Sequence, residues 1–534
     1  MWDRYNESYK QNWLGFSRLL SLFQMENQSI LLRPKQVGHY NRVIDVLRTT
    51  HFIFDNSIMG SGKTIVHLLV ANTYNLPVLL VCSVSAQATW EKEQKKYIVG
   101  TPVTIVDKIT YQSLASRTGC QPKHGYLTRT DRILETSRGK KKQHPEFEAT
   151  EKLKKLVESG VYVIFDECQS IKLKNQMHYA CTAITRTILN SPSGKSRFAM
   201  LSGSPIIDHE NTVNFMRLAG LITKYKLYIY HKNDASLELV GAKEFLEHCN
   251  RLNPEGTKKF LEENDLPTKN SKQGVIDFCH SLYVNVLMPR IRSAMSTPDL
   301  DSTFDVKNGY YKLSEENQTK LVDALNRLAI MLEFDEKTGE YNTKRQTLNM
   351  TREAPIIEEA KLPIFEVQAK NKLNSDSKCK VIIMVNFNAS INYLEEKLKE
   401  FNPLIMTGAV KQKARKEMID LFQQPNTDRR LLIGNIAVLA YSWNLQDTTG
   451  EYPRYIYISP NFKCDMMHQA VRRSYREGTK SSVIARIVYG ASGRLETSIL
   501  NAMARHTKSM KDTLPEQVSE GILFPGEYES EYEP

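Results

Sequence analysis

The sequence predicts an α/β protein of two parallel-sheet lobes with a mostly helical insertion between them. Three observations carry that expectation. Short apolar runs of strand length alternate with helical patterns over residues 31–225. The same texture returns over about 380–490. The stretch between them is rich in charge and helix formers. Apolar runs spaced by helices are what a parallel sheet covered on both faces requires, because its strands are buried on either side. At 534 residues the chain is also too long for one ordinary core, and about two to four domains are expected.

The elements follow in order. An N-terminal extension over 1–30 precedes a first lobe over 31–225. In that lobe "HFIFDNSI" reads as a strand, "TIVHLLVANTY" as the helix after it, and "PVLLVCSV", "VYVIFDE" and "RFAMLSGS" as further strands. Residues 226–345 carry "AKEFLEHCNRL" and "EENQTKLVDALNRLAIMLEF" and read as a helical insertion or connector. The second lobe, 346–505, holds the strands "KVIIMVNF", "RRLLIGNI", "YPRYIYISP" and "SSVIARIVYG". Between them run the amphipathic helices "SINYLEEKLKEF" and "KQKARKEMIDLFQQ". The last twenty residues contain six glutamates and no lysine or arginine, so 506–534 reads as a flexible acidic tail.

Composition narrows the function. The formal net charge of +12 favours an anionic partner, nucleic acid before membrane. There is no run of about 18 apolar residues to span a bilayer, and "MWDRYNESYKQNWLGF" lacks the pattern of a signal peptide. The eight cysteines are scattered and form no C-x-x-C pair. That argues against a structural zinc or disulfide framework and for a reducing, intracellular setting. "RGKKKQH" at 138–144 reads either as a solvated loop or as a source of nonspecific phosphate contacts.

The stretch "SIMGSGKT", 57–64, is one glycine short of the phosphate-loop pattern G-x-x-x-x-G-K-[ST]. Gly60 and Gly62 let the backbone curl so that several N–H groups converge on an anion. Met59, Gly60, Ser61, Gly62, Lys63 and Thr64 are the expected nucleotide contacts. Lys63 would reach the β- and γ-phosphates, and the Thr64 hydroxyl would ligate Mg²⁺ at the N-terminus of the next helix. A glycine-serine loop with a chance "GKT" would look the same by itself. About one hundred residues on, "VYVIFDECQS" places Asp166 and Glu167 directly after an apolar strand. One carboxylate there can hold Mg²⁺ opposite Thr64, and its neighbour can orient or deprotonate the attacking water. The two elements together predict an ATP and Mg²⁺ site. "AMLSGSPI" ends another strand with Ser202 and Ser204 around Gly203, small polar groups able to link a nucleotide site to something that moves.

The order "GSGKT", "DECQ", "SGSP" resembles motifs I, II and III of superfamily 2 helicases and translocases, in which the first loop position is often a small residue such as Ser57. "LLRPKQVGHYNRVI" resembles the adenine-reading segment of the SWI/SNF-type branch and puts Gln36 at the adenine. A carboxamide can both donate and accept there. "LLVCSVSAQATWEKEQKKY" resembles motif Ia, with Trp90 and Glu93 in its W-x-x-E, and "DKITYQSL" resembles motif Ib. Gln169 stands where the branch has a histidine, which bears on how hydrolysis couples to motif III.

In the second half, "HQAVRRSYREG" resembles motif VI, Q-x-x-G-R-x-x-R, with Gln469, Arg473 and Arg476 on its positions and Arg472 on its glycine. "IAVLAYSWNLQDTTG" resembles motif V, with Ser442, Asn444 and Leu445 at G-x-N-L, and "KVIIMVNFNASINYLEEKL" resembles motif IV. "NVLMPRIRSAM" and "YYKLSEENQTKL" resemble the SWI/SNF-type connector. The resemblance covers about 31–500. Its nearest look is to compact SWI/SNF-like ATPases of large cytoplasmic DNA viruses, the poxvirus nucleoside triphosphate phosphohydrolase I group. It implies two RecA-like lobes and a nucleic-acid-dependent ATPase with ATP and Mg²⁺ in the cleft. Lys63, Asp166, Glu167, Gln469, Arg473 and Arg476 would act on the phosphates. Thr110, Tyr111, Asn386 and Asn444 would be candidate nucleic-acid contacts. The implied partner is nucleic acid, DNA before RNA, moved by a monomeric motor serving transcription or replication machinery, with no membrane involved. A strand-unwinding helicase, a motor working with a separate nuclease and a catalytically silent scaffold are the alternatives.

Overall fold

A computed structural model of the chain describes residues 32–58, 60–97, 103–135, 141–203, 206, 208–295, 302–331, 346–425, 428–440, 443–460, 464–476, 478–490, 508–515 and 530–533. The expected N-terminal extension, Met59, Ser204, Ser442 and most of the acidic tail lie outside them. Among the described residues no helix is long and apolar enough to cross a membrane.

The first lobe runs α1 (Pro34–Thr49), β1 (Phe52–Asp55), α2 (Lys63–Thr73), β2 (Val78–Val81), α3 (Val84–Tyr97), β3 (Ile105–Ile109), β4 (Tyr162–Asp166), α4 (Gln176–Leu189), β5 (Arg197–Leu201), α5 (His209–Leu218), α6 (Lys272–Leu282) and β6 (Arg292–Ser293). Its six strands pair in parallel in the order β6-β1-β5-β4-β2-β3. Strands β1 and β2 are buried at every position, which is why they read as unbroken apolar runs rather than alternating ones. One face of the sheet packs Phe54, Phe165 and Phe198 against helices, and the other packs Ile53, Ile164 and Leu80 beneath α1 and α2. Between β3 and β4 lie two antiparallel ribbons. Lys141–His144, the described part of "RGKKKQH", pairs there with Arg132–Glu135.

The second lobe runs β7 (Phe304–Tyr311), α7 (Glu315–Met331), α8 (Gln346–Glu359), α9 (Leu362–Ser375), β8 (Lys380–Val385), α10 (Asn388–Lys397), β9 (Leu404–Met406), α11 (Gln412–Gln423), β10 (Leu431–Asn435), β11 (Arg454–Ile458), α12 (Cys464–Val471), β12 (Val483–Gly490) and β13 (Ser530–Glu533). It too is all parallel, in the order β9-β10-β8-β11-β12-β7-β13. The expected pair of parallel-sheet, RecA-like lobes is therefore present.

Two expectations are corrected. The described residues of 226–345 pack into the two lobes rather than forming a separate helical insertion. Phe245, Cys249, Phe260, Val275 and Ile291 share the core of Phe54 and Phe165 in the first lobe. Val306, Tyr311, Leu321 and Leu325 share the core of Val381 and Ile433 in the second. The strand β7, "FDVKNGYY", carries charged and polar residues that break the apolar run marking a buried parallel strand. It nonetheless pairs with β12 on one side and β13 on the other. The second correction is in the acidic tail: Ser530–Glu533 is the parallel edge strand of that sheet. An edge strand exposes one flank to water, so a charged segment can fill it.

Candidate active site

The phosphate loop spans 56–62, between the end of β1 and the start of α2. Its glycines sit where the backbone demands them. Gly60 has φ +78° and Gly62 φ +93°, a left-handed region costly for any residue with a Cβ. A Cβ on Gly62 would come 2.2 Å from Gln36 Nε2. That carboxamide donates to Ser61 O at 3.0 Å and accepts from Arg33 N at 3.1 Å. Gln36 thus holds the loop with one proton and caps its own helix with one lone pair, keeping the others. Lys63 Nζ turns inward and donates to Ser57 O at 2.7 Å and Ile58 O at 3.1 Å. Thr64 lies half-buried in the first turn of α2.

Ser57, where a glycine was expected, is fully buried. Its N–H donates to Asp55 Oδ1 at 2.8 Å, and its hydroxyl oxygen accepts from Met295 N at 2.8 Å. Glycine could not make the second bond. Behind it lies a buried clamp that the sequence did not disclose. Asp55 Oδ2 meets His39 Nε2 and His67 Nε2, each at 2.9 Å. Ser293 Oγ meets His39 Nδ1 at 2.7 Å, and the Tyr162 hydroxyl meets His67 Nδ1 at 2.6 Å. Each ring thus presents Nε2 to the carboxylate, which accepts from both, and Nδ1 to a hydroxyl. Burial pushes the Asp55 carboxyl up, but the charge and hydrogen bonds of His39 and His67 outweigh it and hold it well below the usual range. Burial pushes the His67 imidazole down. His39 and His67 sit at helical spacing among apolar residues, and no sequence motif marks them.

The two carboxylates stand at the end of β4, across from Lys63. Asp166 Oδ2 accepts from Trp90 Nε1 at 2.8 Å, and Oδ1 accepts from Glu167 N at 3.0 Å. Burial, then the neighbouring Glu167 charge, raises the Asp166 carboxyl to about 6, against the pull of Trp90 and Lys63. Glu167 has φ +54°, uncommon for a residue other than glycine. Gln169 Nε2 donates to Glu167 Oε2 at 2.6 Å, while Gln169 Oε1 is buried with no hydrogen-bond partner. The residue that departs from the family pattern is therefore a direct partner of the second carboxylate. Tyr111, expected to face nucleic acid, is instead buried and donates from its hydroxyl to Asp166 O at 2.9 Å. Its ring fills the core under β4, so it has no surface to offer. Thr110 caps the short helix Tyr111–Ala115, accepting from Ser113 N at 3.0 Å.

Asn56 joins three segments. It donates from Nδ2 to Ser202 O at 3.2 Å, accepts at Oδ1 from Arg292 Nε at 2.8 Å, and donates from its backbone to Ser293 O at 2.9 Å. The phosphate loop is thereby tied to Ser202 at the end of β5 and to β6, the last strand before the chain leaves for the second lobe.

From the second lobe, Arg476 reaches the loop. A Cβ on Gly60 would lie 2.8 Å from Arg476 Nε and 3.0 Å from Nη2. Arg476 Nη1 donates to Asn444 Oδ1 at 2.6 Å, so the exposed Asn444 aims the arginine. Burial, then Arg473, lowers the Arg476 guanidinium to about 10, and the Glu167 charge opposes that. Arg473 is placed differently: it is 5 % exposed and its Nε donates to Ala440 O at 2.8 Å, inside its own lobe. Gln469 is buried in α12. Arg472, in place of the family glycine, lays its guanidinium 5.5 Å from the Phe304 ring centre on β7. Asn386 follows β8 and is held by Glu358, a buried carboxylate that accepts from Asn386 N and Nδ2, Phe387 N and Ser390 Oγ. Glu358 is a second buried organiser that carries no motif.

No family model matches the sequence. The chain is 22% identical over 502 residues, 92% of its length and 85% of the other, to a protein of Acanthamoeba polyphaga mimivirus named as a candidate ATP-dependent RNA helicase. Among solved structures, the Sulfolobus solfataricus SWI2/SNF2 ATPase core in complex with dsDNA aligns over 93% of this chain and 98% of that one, at 16% identity and a TM-score of 0.31. The Pyrococcus furiosus Hef helicase domain aligns over 88% and 98%, at 11% and 0.38. Both overlaps are loose, and the fold rests on the two sheets themselves.

Proposed function

We propose that this chain, a superfamily 2 helicase by its motifs and its mimivirus relative, is a nucleic-acid-dependent ATPase that translocates along DNA. The observation that carries the reading is the meeting of Arg476 with Gly60. A cationic side chain of one lobe lies over the phosphate loop of the other, with Glu167 close enough to act on its charge.

ATP would lie along the loop with its phosphates on the N–H groups at the start of α2 and its adenine beside Gln36. Lys63 would exchange its two carbonyl partners for phosphate oxygens. A carboxylate raised to about 6 by burial and then by a neighbouring carboxylate gains from a divalent cation, so Asp166 with Thr64 fits Mg²⁺, which would neutralise phosphate charge. Glu167, held by Gln169, would orient the attacking water. Arg476, aimed by Asn444, would stabilise the charge that spreads over the phosphoryl oxygens, a contribution worth about 10³- to 10⁵-fold in rate. Release of phosphate would free Arg476 from the loop and let the lobes separate. Asn56, which opens the loop and is bonded to Ser202 and β6, is the natural relay. Nucleic acid would cross both lobes near Thr110, Asn386 and Asn444. The basic net charge favours the nucleic-acid partner, and a monomeric motor acting with transcription or replication machinery inside the cell completes the proposal.

The test is ATP turnover with and without duplex DNA, single-stranded DNA and RNA. Unchanged hydrolysis in Lys63→Ala would overturn the site. Absence of stimulation by every nucleic acid would overturn the motor. One second reading has specific support: the name of the mimivirus relative favours an RNA-unwinding helicase. Strand displacement on tailed RNA duplexes, with no advantage for DNA in the turnover assay, would select it.

A further inference from the structure

A second cluster of metal-type donors, sharing no residue with the phosphate loop, lies where the two lobes meet. His209 opens α5, and His280 sits on α6, which packs against it. Their rings stack with centroids 3.8 Å apart and planes 11° apart. Each ring has one nitrogen committed: His209 Nδ1 to Asp277 Oδ1 at 2.7 Å, and His280 Nδ1 to Thr212 Oγ1 at 2.7 Å. Nε2 is left on both. His280 is 3 % exposed, and its Nε2 has no hydrogen-bond partner. An unsatisfied polar atom in such a place is costly and calls for an explanation.

The third donor comes from the other lobe. Asp512 is exposed on the helical turn over 508–513, whose Met510 and nearby Leu514 are buried in the second lobe's core. One nitrogen from each histidine and one Asp512 carboxylate oxygen all lie within 4.8 Å of one another. Two imidazoles and a carboxylate are the donor set of zinc-type sites, which take a water as fourth ligand. The Asp277 carboxylate behind His209 is the outer partner that commonly fixes the tautomer of a metal-binding histidine.

We propose that His209, His280 and Asp512 form a divalent transition-metal site that bridges the two lobes. Binding tilts the rings out of their stack so that both Nε2 lone pairs point at one ion. It ties the terminal helical turn of the second lobe to α5 and α6 of the first, restraining the movement by which the cleft opens. The donors are nitrogen-rich, so the site selects zinc-type ions over Mg²⁺. Nothing in it depends on the nucleotide chemistry proposed above.

The test uses the full chain freed of metal by EDTA and dialysed, titrated calorimetrically with Zn²⁺ in excess Mg²⁺. The expected result is a tight equivalent of Zn²⁺ that Asp512→Asn and His209→Gln each weaken by about tenfold or more. Co²⁺ in the same protein should give the visible absorption of a four-coordinate site, lost in both variants. His280→Gln disturbs a buried side chain and can unfold the lobe, so Asp512→Asn, on an exposed residue, decides the matter. Its melting temperature in EDTA should equal that of the unaltered chain. Failure of the unaltered chain to bind Zn²⁺, or equal affinity in both variants, would overturn the proposal.

Discussion

The guanidinium of Arg476 occupies the space that a side chain on Gly60 would need, with Nε 2.8 Å from the position of an added Cβ. The relationship joins the two lobes at a left-handed glycine of the phosphate loop, where φ is +78°. Gly60→Ala is therefore penalised twice. The backbone cost is about 1–2 kcal/mol, and the methyl group displaces the arginine. We expect ATP turnover to fall by about tenfold or more, since each 1.36 kcal/mol is a factor of ten. Gly38→Ala, with no atom within 4 Å of the new methyl, should leave turnover unchanged. Equal turnover in both variants would show that Arg476 and Gly60 do not work together.

The arginines of "VRRSYR" should separate in mutagenesis. Arg476 faces the loop, while Arg473 spends Nε on Ala440 O within its own lobe. Arg476→Ala should lower kcat by about 10³-fold, with ATP binding and melting temperature nearly intact. Arg473→Ala should instead lower the melting temperature, because it strips the Ala440 carbonyl of a charged donor and opens a buried space. Thermal melts and nucleotide titrations on both variants check this. An Arg473 variant as stable as the unaltered chain contradicts it.

Gln169 offers a narrower test. It donates to Glu167 Oε2 at 2.6 Å and has no partner for its own Oε1. Gln169→Leu removes the donor and the unsatisfied acceptor together. Stability should change little, while kcat falls by about tenfold as Glu167 loses its orientation, a cost of the order of one hydrogen bond to a charged group. KM for ATP should stay constant, because Gln169 does not touch the loop. A rise in KM at constant kcat would place its action on binding instead.

The parts legible in the sequence were those whose chemistry is local. The phosphate loop, the carboxylate pair after β4 and the arginines after α12 each occupy one short stretch, and the fold sets Gly60, Arg476 and Glu167 near one another. The buried strands β1, β2 and β8 were legible because both their faces are covered. The rest depended on contacts between distant residues. Asp55, His39 and His67 come from a strand and two helices and meet only in the fold. Glu358 reads as one more charge on α8 until Asn386 folds over it. Tyr111 follows a motif known for surface contacts, yet its hydroxyl reaches the backbone of Asp166 and its ring joins the core. β7 was hidden by its own charged residues, and its place in the sheet is set by β12 beside it.

Buried histidines make stability depend on pH, and the sign follows from burial. His178 donates from Nδ1 to Ile171 O at 2.9 Å, just beyond the carboxylate pair. Burial lowers its imidazole from 6.5 to about 4. Below pH 6.5 the unfolded chain takes up a proton that the folded chain refuses, so stability falls as pH drops from about 6.5 toward 4 and is level above that window. His67, also lowered by burial, acts in the same direction. Asp55, held low in the folded chain, adds stability that is present above its unfolded value of 3.8 and lost as pH falls through its folded one. Between pH 6.5 and 5, His178 alone should contribute about 2 kcal/mol. His178→Asn keeps a donor for Ile171 O and removes the titration. Urea unfolding at pH 7.5 and pH 5 should therefore show a smaller loss of stability in that variant than in the unaltered chain. Identical losses would mean that His178 does not stay neutral in the folded protein.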